Sequence, residues 1–408
     1  FRTDDYRYTV WIEGKKSIDP IYERDIYAEE LYNYKFDPNE TINLAYDNDY
    51  KNLLLRFQKL AANYFNNHSD IPMKSLVKTT PKLLIGATLN HNELGSKKEN
   101  LFLKDFKFLT PANSAKQSRI HPKPNVWQWD RINDFLEFSN KHDLTVRIHG
   151  PISPQASKWA KEDHRTAQEL EQVMIEFMTA SAKRYNNEPA VSYMDVVNET
   201  ILPDGSWFGP KPGTNSWENP WLAMGLNEEG FPNYIVKAFE IATQYAPNVK
   251  LVYNQNAGVQ KPMWNRVKET ILYLRSKGLR VDGIGWQGHL GLSRSTLDFI
   301  EKPEEAFKAL SDIIDWAHAN DLEFHVTELD YKLKDTSNYS NELNLQAELY
   351  QRLVEVLQSK VKTGVVTLNL WDMGVRLKKP NTYFQSIYDA NFSPTPSYNI
   401  IKNAINNE

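Results

Sequence analysis

The chain has 408 residues, of which 41% are hydrophobic, with 11 Trp, 21 Tyr and 18 Phe, which suffices for a large α/β core with aromatics to spare. The net charge of −4 gives no basic field for nucleic acid, and the lack of Cys excludes disulfides and thiolate catalysis. The sequence contains no run of ~18 apolar residues, so no membrane span is predicted.

Residues 1–78 are Tyr-rich and charged, unlike the rest of the chain. Apolar residues recur every three to four positions in YKNLLLRFQKLAANYF, which predicts a helix at about 50–65. The polar stretch at 66–82 is typical of a linker. The chain opens at Phe1 without Met or a signal-like apolar stretch, so we expect a processed or excised fragment.

From residue 79 to 408, short apolar strands alternate with amphipathic helices. Strands are predicted at 82–88, 105–110, 144–149, 190–198, 249–254, 281–287, 322–328 and 364–371. Eight strand-then-helix units predict a closed (β/α)8 TIM barrel preceded by a small N-terminal α+β segment. A doubly wound open sheet is the alternative, but GATLNHNELG follows the first strand where a Gly-rich phosphate turn would be expected.

Barrel enzymes place their chemistry at the carboxyl ends of the strands. Read in chain order, these predicted ends carry Thr110, His149, Asn198–Glu199, Asn254, Gln287 with His289, Glu328 and Trp371. Glu199 and Glu328, on the fourth and seventh strands, would face each other across the barrel mouth. Retaining glycosidases need two such carboxylates ~5–5.5 Å apart.

Neighbouring residues indicate the role of each Glu. Asn198 precedes Glu199 and could bind the sugar hydroxyl next to the reacting carbon, while His289 could keep Glu328 ionised. Glu199 is then the predicted acid/base and Glu328 the predicted nucleophile. Taken singly, an Asn–Glu pair at a strand end is also typical of a helix cap, and Asn198–Glu199–Thr200 is a glycosylation sequon.

Several segments between residues 80 and 406 resemble glycoside hydrolase family 10, the endo-β-1,4-xylanases. The matching motifs are LLIGAT, FLTPANSAK, DVVNE, VDGIGWQGHL, HVTELD and FSPTPSYNII. The resemblance implies that DVVNE carries the acid/base and HVTELD the nucleophile. It further implies a substrate-binding set consisting of Asn198, Asn113, Lys116, His149, Gln287, His289, Asn254 and Trp371.

The chain departs from the family pattern mostly where the sugar would be held. Ala112 stands where the family has Glu, and Ser153 and Pro154 replace a Trp-His pair. The fifth-strand segment reads Asn254–Gln255–Asn256, where the family has Asn-Asp-Tyr-Asn, and Asp372 replaces a Gly after Trp371. Losing an acid at 112 favours an anionic glycone.

The segment RYTVWIEG, together with AEELYNYKFDPNETINLAYDNDYKNLLLRFQKL, resembles the C-terminal end of sulfatases. None of the sulfatase catalytic motifs occurs in it, so we expect no sulfatase activity from this chain. The resemblance implies a sulfatase–xylanase fusion with the upstream sulfatase domain missing here, and a xylan-like, sulfated polysaccharide as partner. The alternative is a segment that only decorates the barrel.

Two further functions stay open: a retaining β-glycosidase for a different glycan, and a non-catalytic carbohydrate-binding barrel. The chemistry requires no cofactor, and no His/Asp spacing indicates a metal site, although a structural calcium is an alternative. The substrate class implies a secreted, periplasmic or cell-surface protein. Four aromatic residues after Glu199 are candidates for stacking on sugar or for loop packing, namely Trp207, Phe208, Trp217 and Trp221.

Overall fold

The computed structural model describes residues 1–3, 5–12, 26–51, 53–55, 57–58, 60–61, 83–333, 336–379 and 382–406. The chain divides into two compact units, residues 1–79 and 80–408. The predicted linker at 66–82 lies outside the described residues. Within the described part, no helix is long and apolar enough to cross a membrane.

The first unit contains an antiparallel pair of strands, β1 (Tyr6–Ile12) and β2 (Ile26–Asn33). The described residues between 51 and 61 are helical, in agreement with the amphipathic pattern there. Tyr8 and Phe57 stack with their ring centroids 5.5 Å apart, so the helix packs on the strand pair and closes a small core.

The second unit is a closed (β/α)8 barrel, as predicted. Its parallel strands are β3 (Leu84–Thr88), β4 (Phe108–Thr110), β5 (Thr145–Ile148), β6 (Val191–Asn198), β7 (Lys250–Gln255), β8 (Gly283–Trp286), β9 (Glu323–Lys332) and β10 (Val366–Leu370). Each strand pairs with the next, and β10 closes the ring by pairing with both β9 and β3. All eight predicted strands are confirmed. Because these strands are parallel, every β-to-α loop lies at the same end of the barrel.

Helices cover the outside of the barrel. The main ones span Lys97–Asp105, Asp130–Lys141, Ala167–Asn186, Asn233–Tyr245, Lys261–Ser276, Pro303–Ala319, Tyr339–Lys360 and Pro396–Asn406. The helix after β5 shows why such segments begin where they do. Thr166 accepts a hydrogen bond from the Glu169 amide, and the Glu169 carboxylate accepts one from the Thr166 amide, which forms a capping box. Met174 and Phe177 lie on its buried face.

Most strands lie within two residues of their predicted limits, and two differ by more. Residue 105 was expected in a strand, but the helix Lys97–Asp105 extends to it and β4 begins only at Phe108. Strand β9 runs beyond its predicted end at residue 328, because its last residues pair with an antiparallel hairpin. That hairpin, β11 (Val375–Lys379) and β12 (Thr382–Gln385), follows β10 and was not predicted.

Candidate active site

Glu199 and Glu328 open into one cleft at the carboxyl end of the barrel. Glu199 directly follows β6, and Glu328 lies within β9. Both side chains are largely buried, with 8% and 3% of the residue exposed, yet both line a cleft of about 420 Å³. Two strands, β7 and β8, separate β6 from β9, so the carboxylates approach each other from different sides of the barrel mouth.

Three amide side chains connect the two carboxylates. Gln287 Nε2 donates to Glu199 Oε1 at 2.8 Å and to Asn198 Oδ1 at 3.2 Å. Asn254 Nδ2 donates to the same Asn198 oxygen at 2.8 Å and to Glu328 Oε1 at 3.3 Å. One continuous hydrogen-bond network therefore fixes both carboxylates.

The backbone around this network is tightly constrained. Gly285 faces Asn254, and a Cβ at position 285 would lie 2.2 Å from Asn254 Oδ1, so only glycine leaves room for this amide. Glu199 has a φ of +57°, a left-handed conformation that costs a non-glycine residue ~1–3 kcal/mol. Its amide donates to the Asn254 carbonyl at 3.2 Å, which helps to hold the residue in this conformation.

Two histidines and a lysine surround Glu328. Burial by itself raises the pKa of this carboxyl, but His149, His289 and Lys116 together lower it to about 2. His149 Nε2 lies 3.4 Å from Oε1, and His289 Nε2 lies 3.3 Å from Oε2. Glu328 is therefore an anion throughout the neutral and mildly acidic range, as a nucleophile must be.

His289 is in turn held by Asp330. Burial opposes the charged form of this imidazole, but Asp330 and Glu328 raise its pKa to about 10. Its Nδ1 donates to Asp330 Oδ1 at 2.7 Å, and Arg376 Nη2 donates to Asp330 Oδ2 at 2.5 Å. Charges thus alternate from Arg376 through Asp330 and His289 to Glu328.

His149 has a comparable support. Its Nδ1 donates to Asp195 Oδ2 at 3.0 Å, and Arg147 donates to the other oxygen of Asp195 at 2.6 Å. All three side chains are fully buried or nearly so. Trp371, which lines the cleft, makes an edge contact with the His149 ring, with the ring centroids 5.0 Å apart.

The ten predicted site residues fall into two groups. Those that line the cleft are Glu199, Glu328, Asn113, Lys116, Gln287, His289 and Trp371. Asn198, His149 and Asn254 are at most 1% exposed and hydrogen-bond or approach the carboxylates from below. The structure therefore brings all ten together, and it gives these three a supporting position; their direct contact with sugar stays a prediction.

The four aromatic candidates after Glu199 have different environments. Phe208 and Trp217 line the cleft, and Trp217 is 47% exposed. Of the two alternatives, loop packing is confirmed for Trp221, because its ring is fully buried and its Nε1 donates to the Ser153 carbonyl at 3.2 Å. Trp207 packs against the core and donates to the Gly230 carbonyl.

Sequence reasoning missed several residues of the cleft. Gln155 lines it and accepts a hydrogen bond from Lys116 Nζ at 2.8 Å, and Asn256 donates to Glu199 Oε2 at 3.2 Å. Lys211 also lines it, as do Arg376 and Phe384 of the β11–β12 hairpin. The only sequence signal for the hairpin was the pair of short mixed runs VRLKK and TYFQ after Trp371.

Asp372, which replaces a family glycine, has an internal role. Its Oδ1 accepts from Lys98 Nζ at 2.6 Å and from the Gly374 amide at 2.9 Å. Burial opposes the charge of Lys98, but Asp372 and Glu93 raise its pKa, so the group is held as a buried ion pair. Within the described part of the chain, no group of three or more His, Asp or Glu side chains is arranged to hold a metal ion.

A closed (β/α)8 barrel whose strand ends present two buried glutamates in an open, partly aromatic cleft defines a glycoside hydrolase. The family can be stated as well. This chain belongs to glycosyl hydrolase family 10, whose sequence profile matches residues 73–404.

The chain is similar to several xylanases at modest identity. The chain is 26% identical to endo-1,4-beta-xylanase B of Thermotoga neapolitana over 307 residues, covering 73% of this chain and 80% of the relative. It is 29% identical to a beta-1,4-xylanase of Dictyoglomus thermophilum over 297 residues, covering 70% and 76%. The crystal structure of xylanase 10B from Thermotoga maritima has a TM-score of 0.67 at 22% identity, covering 80% of this chain and 96% of that one, and it shows the shared fold.

Proposed function

We propose that this protein cleaves β-1,4-linked xylan-type chains internally and with retention of configuration, through two displacements at Glu328 and Glu199. The endo-1,4-xylanase names of its relatives support the substrate class. The observation that carries the mechanism is the shared amide network, which fixes two cleft carboxylates in different electrostatic surroundings. His149, His289 and Lys116 lie around Glu328 and lower its pKa, whereas the described side-chain partners of Glu199 are the amides of Asn198, Asn256 and Gln287.

In the first displacement, Glu328 attacks the anomeric carbon while Glu199 gives its proton to the leaving glycosidic oxygen. His289 remains protonated beside Glu328, so it stabilises the anion before attack and releases it as the ester forms. Gln287 and Asn256 each donate to one oxygen of Glu199 and set its direction.

In the second displacement, Glu199 takes a proton from water, and the water oxygen replaces Glu328 at the anomeric carbon. In the structure, Asn198 Nδ2 donates to Glu199 Oε1 at 3.2 Å. We propose that this amide group turns to the sugar 2-hydroxyl when substrate binds. Such a contact tightens in the transition state and contributes to the rate. Asn113, Lys116 and Trp371 would hold the glycone.

The test uses Glu199→Ala and Glu328→Ala with an aryl β-xylobioside and xylan, and Glu171→Ala as a control on an exposed helix position. We expect each cleft variant to lose ~10²–10⁴-fold or more on xylan, and the control to keep full activity. Azide should restore turnover of the aryl substrate. Attack by azide would give the α-glycosyl azide with Glu328→Ala and the β-glycosyl azide with Glu199→Ala.

The configuration of the products separates this mechanism from its rivals. Proton NMR of the first products should show the β-anomer, whereas an inverting enzyme would release the α-anomer. Binding of xylan with no turnover by the wild type would indicate a carbohydrate-binding barrel. Turnover of another β-glycan with the same dependence on both Glu residues would support the mechanism with a different substrate. The observation that favours this alternative is the position of Gln155 in the cleft lining, which the sequence did not predict.

We also propose that the natural polymer is sulfated and that the protein acts outside the cytoplasm. Support for sulfate comes from the lining of the cleft, which contains Lys116, Lys211 and Arg376 but no carboxylate other than the two Glu residues among its described members. The sulfatase resemblance of residues 1–78 is the second support. Its described residues follow the order strand, turn and helix on which that resemblance was based.

A further inference from the structure

Lys98 bridges two loops at the carboxyl end of the barrel. Its Nζ donates to Glu93 Oε1 and to Asp372 Oδ1, each at 2.6 Å. Glu93 belongs to the loop after β3, whereas Asp372 directly follows Trp371 after β10. Because β3 and β10 are neighbours in the ring, this ammonium group ties the first loop of the barrel to the last.

The ion triad of Lys98, Glu93 and Asp372 is largely shielded from water. Only 13% of the Lys98 side chain and 7% of the Asp372 side chain are exposed. Burial lowers the pKa of Lys98, but Asp372 and Glu93 outweigh this effect and raise it. Buried ion pairs are screened little by salt, and removal of one partner leaves the other charges without compensation.

Each end of the triad is held to its own loop. Glu93 Oε2 accepts hydrogen bonds from the backbone amide and the side chain of Asn90, at 2.8 and 3.2 Å. Asp372 Oδ1 accepts a second hydrogen bond from the Gly374 amide at 2.9 Å. The triad therefore fixes the backbone turn at 372–374 as well as the three side chains.

Trp371 is the cleft residue that directly precedes this turn. Its amide donates to the Leu329 carbonyl at 2.9 Å, which ties its backbone to β9. Its ring makes edge contacts with the His149 and His289 rings, with centroids 5.0 and 6.2 Å apart. Because such ring contacts tolerate a range of geometries, the direction of the Trp371 ring depends on how its backbone is fixed, and Asp372 fixes the side that faces away from β10.

We propose that Lys98 and Asp372 are positioning residues for the reaction, which hold Trp371 in the direction in which it binds sugar. Neither of the two is among the described residues that line the cleft, so they act through Trp371. The inference rests on the proposed function, in which Trp371 holds the glycone. Loss of the triad should therefore weaken substrate binding and leave the charge of Glu328 as it is.

The test measures kcat and KM for an aryl β-xylobioside with Lys98→Met, which removes the charge and keeps most of the side-chain length. The matched control is Lys97→Met, at the exposed neighbouring position of the same helix. Lys98→Arg and Asp372→Asn are milder changes, since each keeps a hydrogen-bonding group in place. A second readout is fluorine NMR of protein labelled with fluorotryptophan, in which Trp371→Ala identifies the Trp371 resonance.

We expect Lys98→Met to raise KM ~3- to 30-fold, to keep kcat within about threefold, and to shift the Trp371 resonance. Lys98→Arg and Asp372→Asn should have smaller effects on both readouts, and Lys97→Met should change neither. In a Trp371→Ala background, Lys98→Met should not raise KM further, because the residue through which it acts is gone.

The failures can be told apart. A folded Lys98→Met protein in which either KM or the Trp371 resonance is unchanged would overturn the positioning role. So would an equal rise in KM in the Trp371→Ala background, since the triad would then act on the cleft by another route. Wild-type protein that is folded but cuts no xylan substrate would overturn the proposed function, and the Trp371 resonance would still decide whether the triad positions the ring.

Discussion

At the scale of residues, the ionisation of Glu328 is the property that the surrounding structure sets most strongly. Its pKa falls from 4.5 to about 2, and that of His289 rises from 6.5 to about 10. By linkage, Glu328 contributes stability that is present above about pH 4.5 and lost as pH falls towards 2. His289 contributes stability that is present below about pH 6.5 and lost as pH rises through about 10.

A pH profile tests this electrostatic arrangement. In the wild type, the acid limb of kcat/KM for an aryl xylobioside should lie well below pH 4, because Glu328 stays ionised. His289→Gln removes a positive neighbour, so the pKa of Glu328 should rise and the limb should move up by about 1 pH unit or more. Circular dichroism at each pH separates this shift from unfolding.

The matched control is His164→Gln, since the His164 side chain is 74% exposed and lies outside the cleft lining. It should leave the acid limb in place. An identical limb in the wild type and His289→Gln would mean that His289 only packs against the carboxylate and does not set its charge.

At the scale of elements, the β11–β12 hairpin supports Glu328 through a chain of charged side chains. Arg376 of β11 donates to Asp330, which holds His289 against Glu328. Because β12 also pairs with the end of β9, the hairpin and the strand that carries Glu328 are joined by backbone hydrogen bonds as well.

Arg376→Met should therefore weaken the reaction from a distance. Losing a charged hydrogen bond to buried Asp330 corresponds to ~1.5–3 kcal/mol, and we expect kcat to fall ~10- to 100-fold. Arg376→Lys should recover part of the loss. Steady-state kinetics on an uncharged substrate measures this, with Arg131→Met on an exposed helix as the control. A rise in KM with unchanged kcat would instead indicate that Arg376 only contacts substrate.

The limits of prediction are visible in the same elements. The strands were predictable because each is a short apolar run between helices with a different periodicity. The hairpin was not, since its two runs are brief and partly charged. The two alternatives for Trp221 stay open in the sequence because composition does not reveal which side of a loop an aromatic ring faces. The place of Gln155 in the cleft was not predicted, because it is held there by a hydrogen bond from Lys116, which is distant in sequence.

Likewise, the positions of Glu199 and Glu328 followed from strand order alone, but the supporting roles of the amides did not. Asn254 is predicted to bind sugar, and the structure places its side chain against Asn198 and Glu328, in space that Gly285 leaves open. Strand periodicity predicts which residues reach the barrel mouth; it does not predict how deep each side chain lies.

At the scale of the whole molecule, the two units have separate cores. The barrel core extends from Leu83 to Ala404, and the core of the first unit lies between Tyr8 and Ala61. All ten predicted site residues belong to residues 113–371 of the barrel unit. The family match likewise begins at residue 73.

A chain that begins at residue 73 should therefore keep the fold and the uncharged-substrate activity within about twofold, as expected for an independent domain. Thermal unfolding and kcat/KM, compared with those of the full chain, provide the test. A large loss of both would show that residues 1–72 support the barrel, which favours the decorating-segment interpretation over a sulfatase remnant.

The amide network has a consequence for how this enzyme can change over time. Asn198 accepts hydrogen bonds from both Gln287 and Asn254, and these two residues also hold the carboxylates of Glu199 and Glu328. On the proposed mechanism, we expect a substitution at any of the three to disturb both carboxylates at once. The loops outside this network carry other residues of the cleft, namely Lys116, Gln155, Lys211 and Trp217. Substitutions in these loops can therefore change the substrate preference while the chemistry stays the same.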